Sequence, residues 1–156
     1  MERITSFSVD HTRLDKGMYL SRTDFGDIDT YDIRMKLPNK GDYLTNGAAH
    51  TLEHLFATYA RNSQYKDNIV YIGPMGCMTG FYLIVKNLTR GDVIQLVQES
   101  MAFIGSYKGE IPGTTEPECG NYRLHDLPGA KAIAQDMCDV LKNWQPGDMA
   151  YPAFLD

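Results

Sequence analysis

The sequence is short of cysteine, of long apolar runs and of clustered positive charge, and each shortage closes off a class of protein. Three cysteines among 156 residues are an odd number in a chain large enough to bury its own core, so reduced thiols are expected rather than a disulfide framework. The longest strongly apolar stretch, Phe81 to Val85, falls far short of the ~20 residues that a membrane-spanning helix needs. Met1-Glu2-Arg3-Ile4 opens no apolar signal segment, so a cytoplasmic location without a membrane partner is expected. Fifteen Lys plus Arg stand against twenty Asp plus Glu, a net charge of -5. With no cluster of Lys or Arg, phosphate-backbone binding has no electrostatic footprint, and nucleic acid is not expected as a partner.

What is present is a globular composition, 43% hydrophobic and 22% charged, which argues against disorder and coiled coil. The length suits one domain over residues 1–156. Ile4 to Val9, Gly17 to Ser21 and Tyr31 to Leu37 read as short half-buried antiparallel strands, the last closed by Pro38-Asn39-Lys40-Gly41. Leu52, Leu55, Phe56 and Tyr59 recur at helical spacing, which predicts a helix from about Gly47 to Asn62 capped by Thr45 or Asn46. Ile69 to Ile72 and Thr79 to Lys86 form a strand pair around the Gly73 to Cys77 break. Thr89 and Asp92 open a second helix in the manner of a capping box, and a third is expected over Gly129 to Trp144. Between these two helices, Gly105 to Tyr122 reads as a long loop, a length that usually signals function or disorder. The arrangement is an α+β domain, an antiparallel sheet packed against helices.

The chemistry concentrates in His50-Thr51-Leu52-Glu53-His54, an H-x-x-E-H pattern inside a predicted helix. Imidazoles four residues apart are separated by ~6 Å of helix rise on one face, close enough to bind one metal ion. Glu53 can face the open side of that ion unbound, where a general base belongs. A chance His pair on a helix is the plain alternative. Cys119, in a polar loop and followed by Gly120, can supply a thiolate as third ligand and leave one coordination position open. Cys77, flanked by glycines at a strand break, reads as an aimed thiol usable in proton transfer. Cys138, on an apolar helix face, reads as core. His11 and His125 each sit beside an aspartate and read as polar structural residues rather than ligands.

Five motifs occur in an order that resembles the LuxS family, S-ribosylhomocysteine lyase. They are Ser6-Phe7 with Asp10-His11; Asp32-Ile33-Arg34 with Pro38-Asn39-Lys40; His50-Thr51-Leu52-Glu53-His54-Leu55; Pro74-Met75-Gly76-Cys77 with Thr79-Gly80-Phe81-Tyr82; and Cys119-Gly120-Asn121-Tyr122 with His125-Asp126-Leu127. The resemblance implies an α+β homodimer with a metal site near the subunit interface on the helix that carries H-x-x-E-H. It implies His50, His54 and Cys119 as ligands of one divalent metal per subunit, Fe(II) natively, with Zn(II) or Co(II) able to occupy the site. Glu53 and Cys77 become the acid/base pair. Ser6, His11 and Arg34 fall on positions that shape the substrate pocket, partly across the interface. Two stretches depart from the family pattern: Tyr71-Ile72-Gly73 stands where Asp-Ile-Ser is common, and Asp15-Lys16-Gly17-Met18 replaces an Ala-Pro stretch.

The implied reaction moves a carbonyl along the ribose of S-ribosylhomocysteine and then eliminates the thioether, giving homocysteine and 4,5-dihydroxy-2,3-pentanedione, the autoinducer-2 precursor. Two other readings share the motif. In an inverted zinc metallopeptidase Glu53 would activate a metal-bound water, although a peptide cleft fits poorly in this length. A metal-storing or signalling protein would use the same ligands in a closed, four-ligand site.

Overall fold

Alternation along the second strand sets the architecture. Tyr31 and Ile33 are wholly buried toward one side, while Thr30, Asp32 and Arg34 project to the other. The computed structural model, which describes residues 1–156, contains β1 (Gly17–Asp24), β2 (Ile28–Arg34), β3 (Ile69–Pro74) and β4 (Gly80–Lys86) in one antiparallel sheet ordered β1-β2-β4-β3. Phe81, Leu83 and Val85 of β4 join Tyr31 and Ile33 on the covered face. Against it pack α2 (Asn46–Ala60), α3 (Arg90–Gly105) and α4 (Leu127–Val140), which contribute Leu52, Leu55, Phe56, Leu96, Val97, Met101 and Met137 to the same core. Each large apolar side chain so buried stabilises the fold by roughly 1.5–3 kcal/mol relative to exposure. No helix is long and apolar enough to cross a membrane.

Helix boundaries follow their caps. Thr45 accepts a hydrogen bond from the Ala48 amide at 3.2 Å and starts α2, and Thr89 and Asp92 form both halves of a capping box on α3. Asp126 accepts from the Gly129 amide at 2.9 Å. With Pro128 in its first turn, α4 therefore begins before Gly129, and it ends at Val140 rather than Trp144. Cys138 packs half-buried against the core, as its helix face suggests. Residues 106–126 contain neither helix nor strand, in keeping with the expected loop.

Three expected strands are corrected. Ile4 to Val9 is not a strand: Thr5–Ser8 forms a one-turn helix, α1, and only Val9 makes a bridge, to Phe154 near the end of the chain. The alternation had no buried face to serve, for Ile4 and Phe7 are 54% and 67% exposed. β1 continues past Ser21 to Asp24, and β2 begins at Ile28 and stops at Arg34. Between them Phe25 and Gly26, both at positive φ, make a tight hairpin turn.

The uncovered face of the sheet carries the cross-strand row Tyr19, Asp32, Tyr82 and Gly73, with Arg22, Thr30, Ile84 and Tyr71 as the next row. The chain's last residues lie along α1. The Asp10 amide donates to Ala153 O at 3.0 Å and the Leu155 amide to Ser8 O at 2.7 Å.

Candidate metal centre and the Cys77 cavity

Helix α2 buries Ala48, Ala49, Thr51, Leu52, Leu55 and Phe56 and leaves His50, Glu53 and His54 half-buried, the two histidines against residues 106–126. That loop fixes both rings. His50 Nδ1 donates to Leu124 O at 2.6 Å and His54 Nδ1 to Pro112 O at 2.7 Å. A carbonyl only accepts, so each Nδ1 carries the proton and each Nε2 presents a bare lone pair. Both lone pairs face Cys119, whose Sγ lies 3.4 Å from His50 Nε2 and 3.9 Å from His54 Nε2. A tetrahedral ion with ordinary metal–nitrogen and metal–sulfur bonds sets such donors about 3.5 Å apart. The three residues therefore fit a divalent metal by donor type, by tautomer and by spacing.

Gly113 belongs to the same construction. At φ +73° it takes the left-handed turn that follows Pro112, and a Cβ there would stand 3.2 Å from His54 Nδ1.

A fourth residue, His125, joins the group: its donor atom and those of His50, His54 and Cys119 all lie within 4.8 Å of one another. Its ring stacks on His50 at 4.0 Å between centroids, its Nδ1 lies 3.0 Å from Thr51 Oγ1, and its buried Nε2 has no hydrogen-bond partner. Burial first, and then the proximity of the His50 and His54 imidazoles, push its pKa below the ordinary histidine value. The reading of His125 as a polar structural residue thus accounts for its bond to Thr51 but not for its place beside His50, His54 and Cys119. The His125-Asp126 pair gave no signal of this, because the contact depends on a fold that joins positions 74 apart.

Cys77, Arg34, His11 and Ser6 come together elsewhere. They line a cavity of about 250 Å³ with Phe7, Val9, Asp32, Met75, Gly76, Tyr82 and Tyr151, on the uncovered face of the sheet. None of the metal donors lines it. Cys77 is exposed, its Sγ 3.1 Å from Thr79 Oγ1 and 3.9 Å from Arg34 Nη1. Arg34, 3% exposed, forms a bidentate pair with Asp32, Nη2 to Oδ2 at 2.6 Å and Nε to Oδ1 at 3.1 Å. Burial alone would lower the guanidinium pKa, but Asp32, by charge and hydrogen bond, and then Cys77 raise it above the ordinary value. A negative charge formed on the Cys77 sulfur thus meets a fixed cation.

The departing stretch has a steric logic of its own. Gly73 lies under the Tyr71 hydroxyl, where a Cβ would collide with it, so with a larger residue at 73 the half-exposed Tyr71 side chain would have to swing aside. Tyr71 in turn lines a cavity of about 230 Å³ that shares Ser6 and Tyr82 with the Cys77 cavity.

The chain resembles known proteins over nearly its whole length. Residues 4–147 match the family described as S-Ribosylhomocysteinase (LuxS). The chain is 48% identical to the S-ribosylhomocysteine lyase of Phocaeicola vulgatus, with 97% of this chain and 98% of that one aligned. It is 49% identical to the protein of that name from Porphyromonas gingivalis, over 97% and 99%. With the one from Desulfotalea psychrophila it shares 43% identity over 98% and 100%. Two imidazoles and a thiol converging on one point, a cysteine set against a buried arginine, and full-length similarity of this degree lead to one conclusion: the chain belongs to the LuxS, or S-ribosylhomocysteinase, family.

Proposed function

We propose that this chain is an S-ribosylhomocysteine lyase, a carbon–sulfur lyase that releases homocysteine and 4,5-dihydroxy-2,3-pentanedione. The observation that carries the reading is the convergence of His50 Nε2, His54 Nε2 and Cys119 Sγ in a member of this family. These three residues hold one divalent metal per chain, Fe(II) natively and Zn(II) or Co(II) by replacement. Bound there, the ion supplies Lewis acidity toward negative charge developing on substrate oxygens.

The residues' tasks follow from the substrate. Its sulfur leaves only when a carbonyl stands two carbons away, so the carbonyl first moves from C1 to C2 and then to C3. Each move takes a proton from one carbon and returns one to its neighbour. Cys77 serves the early shifts as thiolate and thiol in turn, and Arg34 balances its charge at 3.9 Å. Glu53, on the flank of α2 beside the two histidines, serves the later shift. It also takes the C4 proton, whose electron pair expels the sulfur at C5 as homocysteine thiolate. Ser6, His11 and Arg34 hold the substrate in the cavity they share with Cys77.

A homodimer reconciles the two halves of this machinery. The metal donors belong to the helical layer and its loop, while the Cys77 cavity opens on the other face of the sheet. A second copy seated on that face brings its own metal group to the cavity. Phe7 at 67%, Tyr71 at 50% and Phe154 at 59% exposure are the apolar surface such a contact would cover.

One observation favours a second reading. His125 makes the donor group four rather than three, which suits a closed storage site. Co(II)-substituted protein separates the two: a visible spectrum indifferent to substrate indicates storage. The direct test is purified, metal-loaded protein incubated with S-ribosylhomocysteine while released thiol is titrated. Thiol release with activity per chain falling on dilution supports the enzyme and the dimer together; no thiol at any concentration rejects the proposed activity.

A further inference from the structure

We infer that Tyr151, together with Asp32, is a positioning residue for Cys77, acting through Arg34. The inference rests on the function proposed above, in which Cys77 moves protons. Four side chains form a continuous chain of polar contacts beneath that sulfur. The Tyr151 hydroxyl donates to Asp32 Oδ2 at 2.7 Å, Asp32 grips the Arg34 fork with both oxygens, and Arg34 Nη1 donates to Thr79 Oγ1 at 2.8 Å. Thr79 Oγ1 and Arg34 Nη1 are the two side-chain groups in polar contact with Cys77 Sγ, at 3.1 and 3.9 Å.

Asp32 and Arg34 are two apart on β2, so they share a face, and they are 1% and 3% exposed. Burying an ion pair so completely is costly unless its remaining hydrogen-bonding capacity is filled. Tyr151 fills it, arriving from 119 residues away on the tail that runs beside α1. Burial, and then the charge of Asp32, hold its phenol above the ordinary tyrosine range, so it remains a donor at every physiological pH. Its ring is fixed independently, stacked on Tyr19 at 5.2 Å between centroids with planes 18° apart. The hydroxyl is therefore held by contacts other than the one it makes. Without it, Asp32 Oδ2 loses one of its two donors, the carboxylate is free to turn, and the Arg34 fork that follows it no longer presents Nη1 to Cys77 and Thr79.

Tyr151→Phe keeps the ring and its stacking and removes only the hydroxyl. The readout is the rate of Cys77 alkylation by iodoacetamide, followed by peptide mass, with no substrate present. It should fall about tenfold, the factor that one hydrogen bond to a charged group is worth. In turnover, kcat/KM should fall, and bound metal should stay at the wild-type level, since no metal donor touches this chain of contacts. Asp32→Asn, which keeps the shape and removes the charge, should slow alkylation further. If Asp32→Asn slows alkylation and Tyr151→Phe, folded by thermal melt, does not, Tyr151 has no positioning role; unchanged alkylation in both removes the whole inference. Because alkylation needs no substrate, it remains decisive even if the wild-type protein releases no thiol, a result that would reject the proposed activity alone.

Discussion

His125 lies flat on His50, ring centroids 4.0 Å apart and planes 21° from parallel, with its Nδ1 at the Thr51 hydroxyl. Thr51 Oγ1 also accepts from the Asp126 amide at 2.9 Å, so one helical threonine anchors both this ring and the start of α4. His125→Phe preserves the flat ring and deletes both nitrogens. Metal affinity, measured by competition with a chelator, should drop by about 10- to 100-fold, as for other residues that orient metal ligands. Unchanged affinity would make stacking the sole role of the ring.

Removal of a direct ligand should do more. His54→Ala and Cys119→Ala proteins should carry clearly substoichiometric metal by elemental analysis after dialysis. Gly113→Val should fall between these and wild type, because its Cβ would crowd His54 Nδ1 from 3.2 Å in a backbone conformation that branched residues avoid. Full occupancy in His54→Ala or Cys119→Ala would show that the donor set is misassigned.

Glu53→Gln and Cys77→Ser should retain full metal and lose thiol release by ~10²- to 10⁴-fold, the usual contribution of a positioned acid or base. Ordinary turnover in either variant would remove that residue from the proton-transfer scheme. Cys77, an exposed thiol facing a guanidinium, should also be the cysteine found as sulfinic acid after aerobic handling.

Tyr31 offers a test of stability. Its ring is wholly buried, its hydroxyl lacks any partner, and burial raises its pKa to about 12. Burial likewise raises Tyr19 to about 12. In the unfolded chain both ionise near pH ~10. A folded pKa raised above the unfolded one gives stability that is intact below that unfolded value and is lost as pH climbs toward the folded one. The thermal midpoint should therefore hold steady up to about pH 10 and fall steeply toward pH 12. Tyr31→Phe should flatten that fall and, by removing an unsatisfied buried group, gain about 1 kcal/mol or more at neutral pH. A loss of stability at neutral pH would mean that the hydroxyl has a partner.

Much of this molecule is written locally. The His50 and His54 pair needs only the helical repeat to face one ion, and Thr45, Thr89 and Asp92 announce helix starts within four residues of sequence. The polar loop and Gly120 pointed to Cys119, and the resemblance to the LuxS family added Arg34, Ser6 and His11 on motif order; Cys119 stands with His50 and His54, and the other three line one cavity with Cys77. Beyond shifted element ends, the failures are non-local. Ile4 to Val9 alternates like a strand, but whether it becomes one depends on a partner, and the chain's end offers it a single bridge. His125 and Tyr151 look like ordinary polar residues until the fold brings them to Thr51 and Asp32, 74 and 119 positions away.

The loop of residues 106–126 is tied to α2 through Pro112 O, Cys119 Sγ and Leu124 O, and at its end through His125 and Asp126 on Thr51. An ion bound there would work as a clasp on twenty-one residues that have no regular structure of their own, since α3 ends at Gly105 and α4 begins at Leu127. Extracting it leaves two lone pairs and a sulfur facing one another with nothing between them, and returns chain entropy to the segment. Demetallated protein should then be nicked by trypsin at Lys108 or Arg123 well before the rest of the domain yields, so that loading of the site can be read from a gel.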